Sequence, residues 1–454
     1  MSSSDVPSMS ARTRALQAKD QACLWHPFTP MQIWLEESPL VIQRGEGFQL
    51  IDTQGRRYID GVSSLWCNLH GHHVPELDDA IRRQLDQIAH TTLLGLASPP
   101  SIELAERVLQ SASPQGQLTR VFYSDSGSES VEIAAKIAFQ YWHNRGLRSR
   151  RRFIGFRQGY HGDTVGSVSL GGIETFHQLY KPLLFDTLFA DSPCPHVHPA
   201  CQGAGAAVLA QIEQMLQANA GEICAVIIEP LVQGAGGILT HPKGFLKGVR
   251  ELTSRHDVLL IADEVATGFG RTGKMFACQH EDVSPDIMCL AKGLTGGYLP
   301  LAATLTTEAI FEAFLAPPSQ GKTFYHGHTF TGNALACAVG LASLELMVRN
   351  RVVERMAPKI ERIGQALRTM EQLPHVARTR QCGFIVGIDL AQPDGRPFDP
   401  ASRVGAGLCA KARDKGIIIR PLGDTLVLMP APAMDDATLD HLLAGVTETI
   451  AEMR

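Results

Sequence analysis

Three apolar, β-branched runs each end on charged side chains: AVIIEP on Glu229, VLLIADE on Asp263 and Glu264, and IMCLAK on Lys292. Such short runs, bounded by polar or glycine punctuation, are the pattern of strands covered on both faces of a parallel sheet. The segment Phe245 to His256, between the first two, has helical character. Ligands of open α/β sheets bind beyond the carboxyl ends of the strands, so Glu229, Asp263 and Lys292 are expected to converge on one site. A lysine at such a strand end, between Ala291 and Gly293, loses solvation. Its pKa falls, and its amine becomes a usable nucleophile toward a carbonyl carbon.

Two glycine segments compete for the role of phosphate cradle. Gly268-Phe269-Gly270-Arg271-Thr272-Gly273-Lys274 fits both G-x-G-x-x-G and G-x-x-x-x-G-K. Neither context holds: Met275 stands where a phosphate loop needs Ser or Thr, and Asp263 and Glu264 precede the turn and would repel a pyrophosphate. The segment reads as a loop packed around the site that positions Arg271, with a phosphate-loop nucleotide enzyme as the rival from another class. The second segment, Ser126-Gly127-Ser128-Glu129, has the capping-box form that starts a helix, and a glycine-containing helix N-terminus is an anion site. Alone it is a cap. With Lys292 and Asp263 it completes the requirements of pyridoxal phosphate: a Schiff-base lysine, a carboxylate that keeps the ring nitrogen protonated, and a phosphate cradle at Gly127 and Ser128.

The elements that position these groups follow in order. A polar start, mobile at its beginning, leads to a helix from Ala11. Leu40 to Gly61 alternates apolar and polar residues around turns, as a small antiparallel meander does. Trp66, His70, His72 and His73 follow in a loop that suits a pocket wall, and His-x-His-His is a weak metal signal. Helical periodicity covers Glu76 to Ala89 and Ser101 to Ser111, and a long helix starts near Ser128. A strand from Phe153 leads to Tyr160-His161-Gly162, where an aromatic between glycines suits ring stacking. Beyond Lys292 come a strand, a polar aromatic loop (Lys322 to Asn333), a helix (Ala334 to Arg349) and a compact α/β unit with strands FIVGIDL, IIIRPLG and TLVLMP. The division expected is 1–75 as an N-terminal segment belonging to the smaller domain, 76–347 as the large domain and 348–454 as the small C-terminal domain.

A chain of 454 residues exceeds the size of a single core, and 44% hydrophobic with 19% charged residues is ordinary for a globular protein. The net charge of -5 gives no general attraction to nucleic acid, and the arginines between 145 and 152 read as a solvated loop. The ten cysteines include no C-x-x-C pair, and CPHVHPAC (194–201) reads as coincidence, so no metal site is expected. Without a signal peptide or an apolar run long enough to span a membrane, the expected location is the cytoplasm.

IADEVATGFGRTGKMFACQH, followed by CLAKGLTGG, resembles the signature of the class III, ω-type, pyridoxal phosphate aminotransferases, and the likeness runs nearly the whole chain. WHPFTPM, DGVSSLWCNLHGH, YSDSGSESVEIAAKIAFQYW, GYHGDT, EPLVQGAGG, HGHTFTGN and RPLG narrow it to the biotin-pathway branch. The resemblance implies a fold type I α/β transferase, with helices sandwiching a mostly parallel seven-stranded sheet and a smaller α/β domain beside it. It implies a homodimer with active sites at the interface, 8-amino-7-oxononanoate as acceptor and 7,8-diaminononanoate as product. By resemblance Lys292 holds pyridoxal phosphate, Asp263 pairs with its ring nitrogen and Tyr160 stacks on the ring. Gly127 and Ser128 bind the phosphate from one subunit, His328 and Thr329 from the other. Substrate contacts fall to Phe28, Leu65, Trp66, Tyr160, Lys292, Gly327 and Arg420, the arginine gripping a carboxylate. Where the adenosylmethionine-using branch has WHPYT and SSWW, this chain has Phe28 and Leu65, and it resembles the branch that uses L-lysine. S-adenosyl-L-methionine is the next candidate donor, and a general ω-amine or diamine transaminase is the alternative within the family.

Overall fold

The computed structural model describes residues 9–453; the expected mobile start falls partly on residues 1–8, outside the described ones. A helix spans Ala11–Cys23, and the predicted meander forms as β1 (Ile42–Glu46), β2 (Gln49–Asp52) and β3 (Arg57–Asp60), each antiparallel to the next. The chain then builds β4 (Leu118–Ser124), β5 (Arg152–Phe156), β6 (Thr187–Ala190) and β7 (Ile223–Ile228). A short hairpin of β8 (Val232–Gln233) and β9 (Leu239–Thr240) precedes β10 (Leu259–Asp263), β11 (Ile287–Leu290) and β12 (Ala302–Thr307). The last strands are β13 (Val376–Cys382), β14 (Ile385–Leu390), β15 (Ile417–Ile418), β16 (Arg420–Leu422) and β17 (Thr425–Leu428).

The large sheet has seven strands in the order β4-β12-β11-β10-β7-β5-β6, and only β12 runs against its neighbours. This is the fold type I α/β sheet expected. Its central strands are buried along their length because they feed two apolar layers at once. With the period of a strand, Leu260 and Ala262 join the layer that holds the helix Phe245–Arg255, while Leu259 and Ile261 join Val131, Ala134 and Ile137 of the helix Gly127–Asn144. Strand order β11-β10-β7 sets the three charged strand ends side by side.

Two features differ from the sequence expectation. IIIRPLG is not one strand: β15 pairs in parallel with β3, and β16 pairs with β17 in the sheet β13-β14-β17-β16. Ile417 pairs with Ile59 and Arg420 with Val427, and both sheets face one core that holds Ile59, Ile417, Ile419, Leu426 and Leu428. Strand β13, VARTRQC, carried no apolar signal; its buried Arg380 is satisfied by Asp389, Gly237 O and Ile238 O. Among the described residues no helix is long and apolar enough to cross a membrane.

Candidate active site

Beyond the ends of β7, β10 and β11 lies a cavity of about 690 Å³ lined by Glu229, Asp263, Lys292, Trp66, Tyr160, Gly127 and Ser128, among others. That volume suits a cofactor with a small substrate. Asp263 is 4% exposed; its Oδ2 lies 2.7 Å from His161 Nδ1, and its Oδ1 accepts the N–H of Val265 at 3.1 Å. Glu229 holds the loop after β5 in place, accepting the N–H of Tyr160 at 3.0 Å and that of Gly234 at 2.9 Å. Burial pushes its carboxyl up to about 7, against the pull of His161. Lys292 starts a tight turn with φ of 43° and sits with Nζ 5.2 Å from the centre of the Trp66 ring. Desolvation lowers its pKa, opposed by the charges of Asp263 and Glu229.

Trp66 reaches the cavity through a turn in which Ser63, Ser64, Leu65 and Trp66 all have positive φ, a costly backbone that must be held from outside. Asp60 holds it from one side, accepting Ser64 N–H at 2.9 Å and Ser64 Oγ–H at 2.7 Å. Arg271 holds it from the other, donating to Ser63 Oγ at 3.3 Å, Asn68 O at 2.9 Å and Pro430 O at 2.8 Å. The glycine segment 268–274 therefore serves packing, and Lys274 donates to Gln279 O at 2.9 Å.

The phosphate-type signature forms where the sequence put it. Glu129 Oε2 accepts the N–H groups of Asp125 and Ser126, each at 2.8 Å, and Ser126 Oγ accepts that of Glu129 at 3.3 Å. This capping box leaves the N–H groups of Gly127 and Ser128 without a partner among the described residues. A Cβ on Gly127 would stand 2.6 Å from Val265 Cγ1, so only glycine lets the helix start this close to β10. Unpaired N–H groups at a positive helix end, an acid at the end of β10 and a desolvated amine fit pyridoxal phosphate.

One chain brings together six of the predicted residues: Lys292, Asp263, Tyr160, Gly127, Ser128 and Trp66. His328 stands beside Asp125, another lining residue, at 3.7 Å. Gly327 and Thr329 are exposed in the Lys322 to Asn333 loop, and Arg420 is exposed on β16. Phe28 and Leu65 are 55% and 51% exposed, outside the cavity lining. Phe28 reaches Tyr160 only through Phe176, with ring centres 5.3 Å and 6.3 Å apart. His161, next to Tyr160 in GYHGDT, carries no signal in the sequence that marks it as a partner of Asp263. The other histidines disperse, His70 to Ser343, His72 to Asp60 and His73 to Asp78. Among the described residues no group of three ligands could hold a metal.

The family model for aminotransferase class-III matches residues 32–450. The adenosylmethionine-8-amino-7-oxononanoate aminotransferase of Nitratidesulfovibrio vulgaris is 51% identical over 98% of this chain and 83% of its own length. The protein of that name from Aquifex aeolicus is 48% identical, over 97% of this chain and 98% of its own. The crystal structure of the Methanocaldococcus jannaschii protein of that name superposes with a TM-score of 0.92 at 43% identity, covering 97% of this chain and 99% of that one. An amine transaminase from an uncultivated Pseudomonas species, in a PLP-bound form, gives 0.90 at 35% identity, with 94% and 98% covered.

Proposed function

The chain belongs to the class III aminotransferases, pyridoxal phosphate enzymes of fold type I, and from that premise we propose that it aminates 8-amino-7-oxononanoate to 7,8-diaminononanoate in biotin formation. The observation that carries the chemistry is the single cavity in which the desolvated Lys292 amine, buried Asp263 and the open N–H groups of Gly127 and Ser128 meet. The acceptor is supported by relatives with 42% to 51% identity that carry its name.

When bound, pyridoxal phosphate supplies an electron sink for the carbanion at the substrate α-carbon. Lys292 would hold the cofactor and, once free of it, would move a proton between that carbon and the ring-side carbon; its lowered pKa keeps a larger share of the amine unprotonated at neutral pH. Asp263, oriented by His161 and Val265 N–H, holds the proton on the ring nitrogen. Tyr160, fixed by Glu229 at its N–H and by Asp163 at its hydroxyl (2.6 Å), presents its ring to the cofactor. Trp66 walls the substrate side.

The enzyme is a homodimer acting on small molecules in the cytoplasm. Gly327, His328 and Thr329 serve the partner subunit's cavity, and Phe28, Leu65 and Arg420 complete the substrate pocket, with Arg420 gripping a carboxylate. Support comes from the exposure in one chain of Trp25 (89%), Leu94 (79%) and Tyr325 (81%), a cost that a second subunit removes. The division at 1–75, 76–347 and 348–454 is supported by a core that joins Ile59 to Met356 and Leu442, separate from that of the large sheet.

L-lysine is the donor favoured by Phe28 and Leu65. S-adenosyl-L-methionine is the second reading, favoured by the names of the relatives. Purified holoenzyme is mixed with each donor separately, and loss of the cofactor's visible band is followed. Fading with adenosylmethionine alone overturns the lysine reading, and no 7,8-diaminononanoate after adding the oxo acid overturns the acceptor.

A further inference from the structure

We propose that the Ser128 side chain is a positioning group and not a phosphate ligand: its hydroxyl fastens the helix Gly127–Asn144 to the turn Gly162–Ser167, which sets Tyr160 and His161 beside Asp263. This rests on the reading above, in which the helix N-terminus takes the cofactor phosphate through its N–H groups.

Ser128 Oγ accepts the N–H of Asp163 at 3.1 Å and that of Thr164 at 3.0 Å, and lies 2.8 Å from Thr164 Oγ1 and 2.7 Å from Ser167 Oγ. A hydroxyl has two lone pairs and one proton. Both lone pairs are taken by N–H groups, and the proton lies between two hydroxyls, one of them on fully buried Ser167. The chain passes so close that a Cβ on Gly162, where φ is 117°, would stand 2.3 Å from Ser128 Oγ. One helical turn onward, Glu132 grips the same segment, its Oε1 accepting Gly166 N–H at 2.7 Å and Ser167 N–H at 3.3 Å. Ser128 and Glu132 thus form a two-point clasp on one helix face. Gly162 follows His161 directly, and the His161 ring meets Asp263 at 2.7 Å. The clasp therefore reaches the ring end of the site while the N–H groups serve its phosphate end.

The test measures binding of pyridoxal phosphate and of pyridoxal, which lacks the phosphate, to protein freed of cofactor. Ser128→Ala keeps the helix N–H groups, so it is expected to weaken both ligands by the same factor, about tenfold for one lost hydroxyl clasp. It also shifts the pH midpoint of the bound cofactor's visible band, which a general loss of stability would not move. Ser128→Thr restores both. Ser167→Ala, outside the cavity lining, weakens both ligands equally, by a smaller factor. A loss confined to pyridoxal phosphate overturns the proposal, as does unchanged binding of both ligands by Ser128→Ala. Failure of the underlying phosphate reading looks different: wild-type protein would then bind pyridoxal as tightly as its phosphate.

Discussion

Replacing Glu229 by glutamine tests whether the cavity floor is built on a carboxyl group that burial makes hard to ionise. Its two oxygens accept only the N–H groups of Tyr160 and Gly234, at 3.0 and 2.9 Å, and desolvation outweighs them, raising the pKa from 4.5 to about 7. Across that interval the folded chain holds a proton that the unfolded chain releases, so stability falls by about 1.4 kcal/mol per pH unit, or about 3 kcal/mol in all. The contribution of the neutral carboxyl is complete below 4.5 and is lost as pH rises through about 7. Glutamine cannot ionise, but it sets its NH₂ against one of the two N–H donors, a pH-independent cost of about 1–2 kcal/mol. Glu229→Gln is therefore less stable than wild type in acid and more stable above about pH 8, by about 1–2 kcal/mol. Denaturant unfolding of cofactor-free protein is measured for both chains from about pH 4.5 to about pH 8.5, and their difference removes the titrating groups that do not interact with Glu229. That difference is expected to change sign and to span about 3 kcal/mol. A difference flat within about 0.5 kcal/mol would refute the neutral carboxyl.

Three further outcomes follow from the same contacts. Lys292→Ala should lose the covalently retained cofactor, seen as loss of colour on dialysis, and about 10⁴-fold or more of transamination; a coloured, active variant removes Lys292 from the mechanism. His161→Phe leaves Asp263 Oδ2 without its 2.7 Å partner, and cofactor affinity or turnover is expected to drop about 10- to 100-fold, the fold-equivalent of an unmade buried hydrogen bond. His161→Asn, which keeps an N–H donor, should recover part of this, and equal losses in the two variants would argue against the contact. Arg380→Ala leaves Asp389, whose carboxyl burial would raise but the Arg380 bond holds below 3.8, with only Arg378 at 3.4 Å and the Thr425 hydroxyl at 2.7 Å. A cost of about 1–3 kcal/mol, that of buried polar groups left without a hydrogen-bond partner, is expected above that range, shrinking as acid protonates Asp389; thermal unfolding showing a loss below about 0.5 kcal/mol refutes it.

The reactive residues were legible because their signals are local. Apolar runs that stop on Glu229, Asp263 and Lys292 specify buried strands and charged strand ends without knowledge of the neighbours. Ser126 and Glu129 specify a helix start three residues apart, and the capping box formed as read. The second glycine segment showed the limit of that locality: 268–274 matches two phosphate patterns, yet its Arg271 is spent on the turn that carries Trp66.

Contacts between distant segments were not legible, and these decide how the site is held. His161 and Asp263 are 102 positions apart, and only the strand order β11-β10-β7-β5 brings the loop after β5 over the end of β10. The split of IIIRPLG between two sheets depends on its strand partners, Ile59 for Ile417 and Val427 for Arg420. Sequence by itself determined the kinds of groups present and the strand ends that carry them, since residue type and periodicity act within a few positions. Tertiary structure alone decided which acid is held by His161, which is pushed up to about 7 by burial, and whether the Ser128 hydroxyl is free, because desolvation and hydrogen-bond saturation are set by every segment packed around a group.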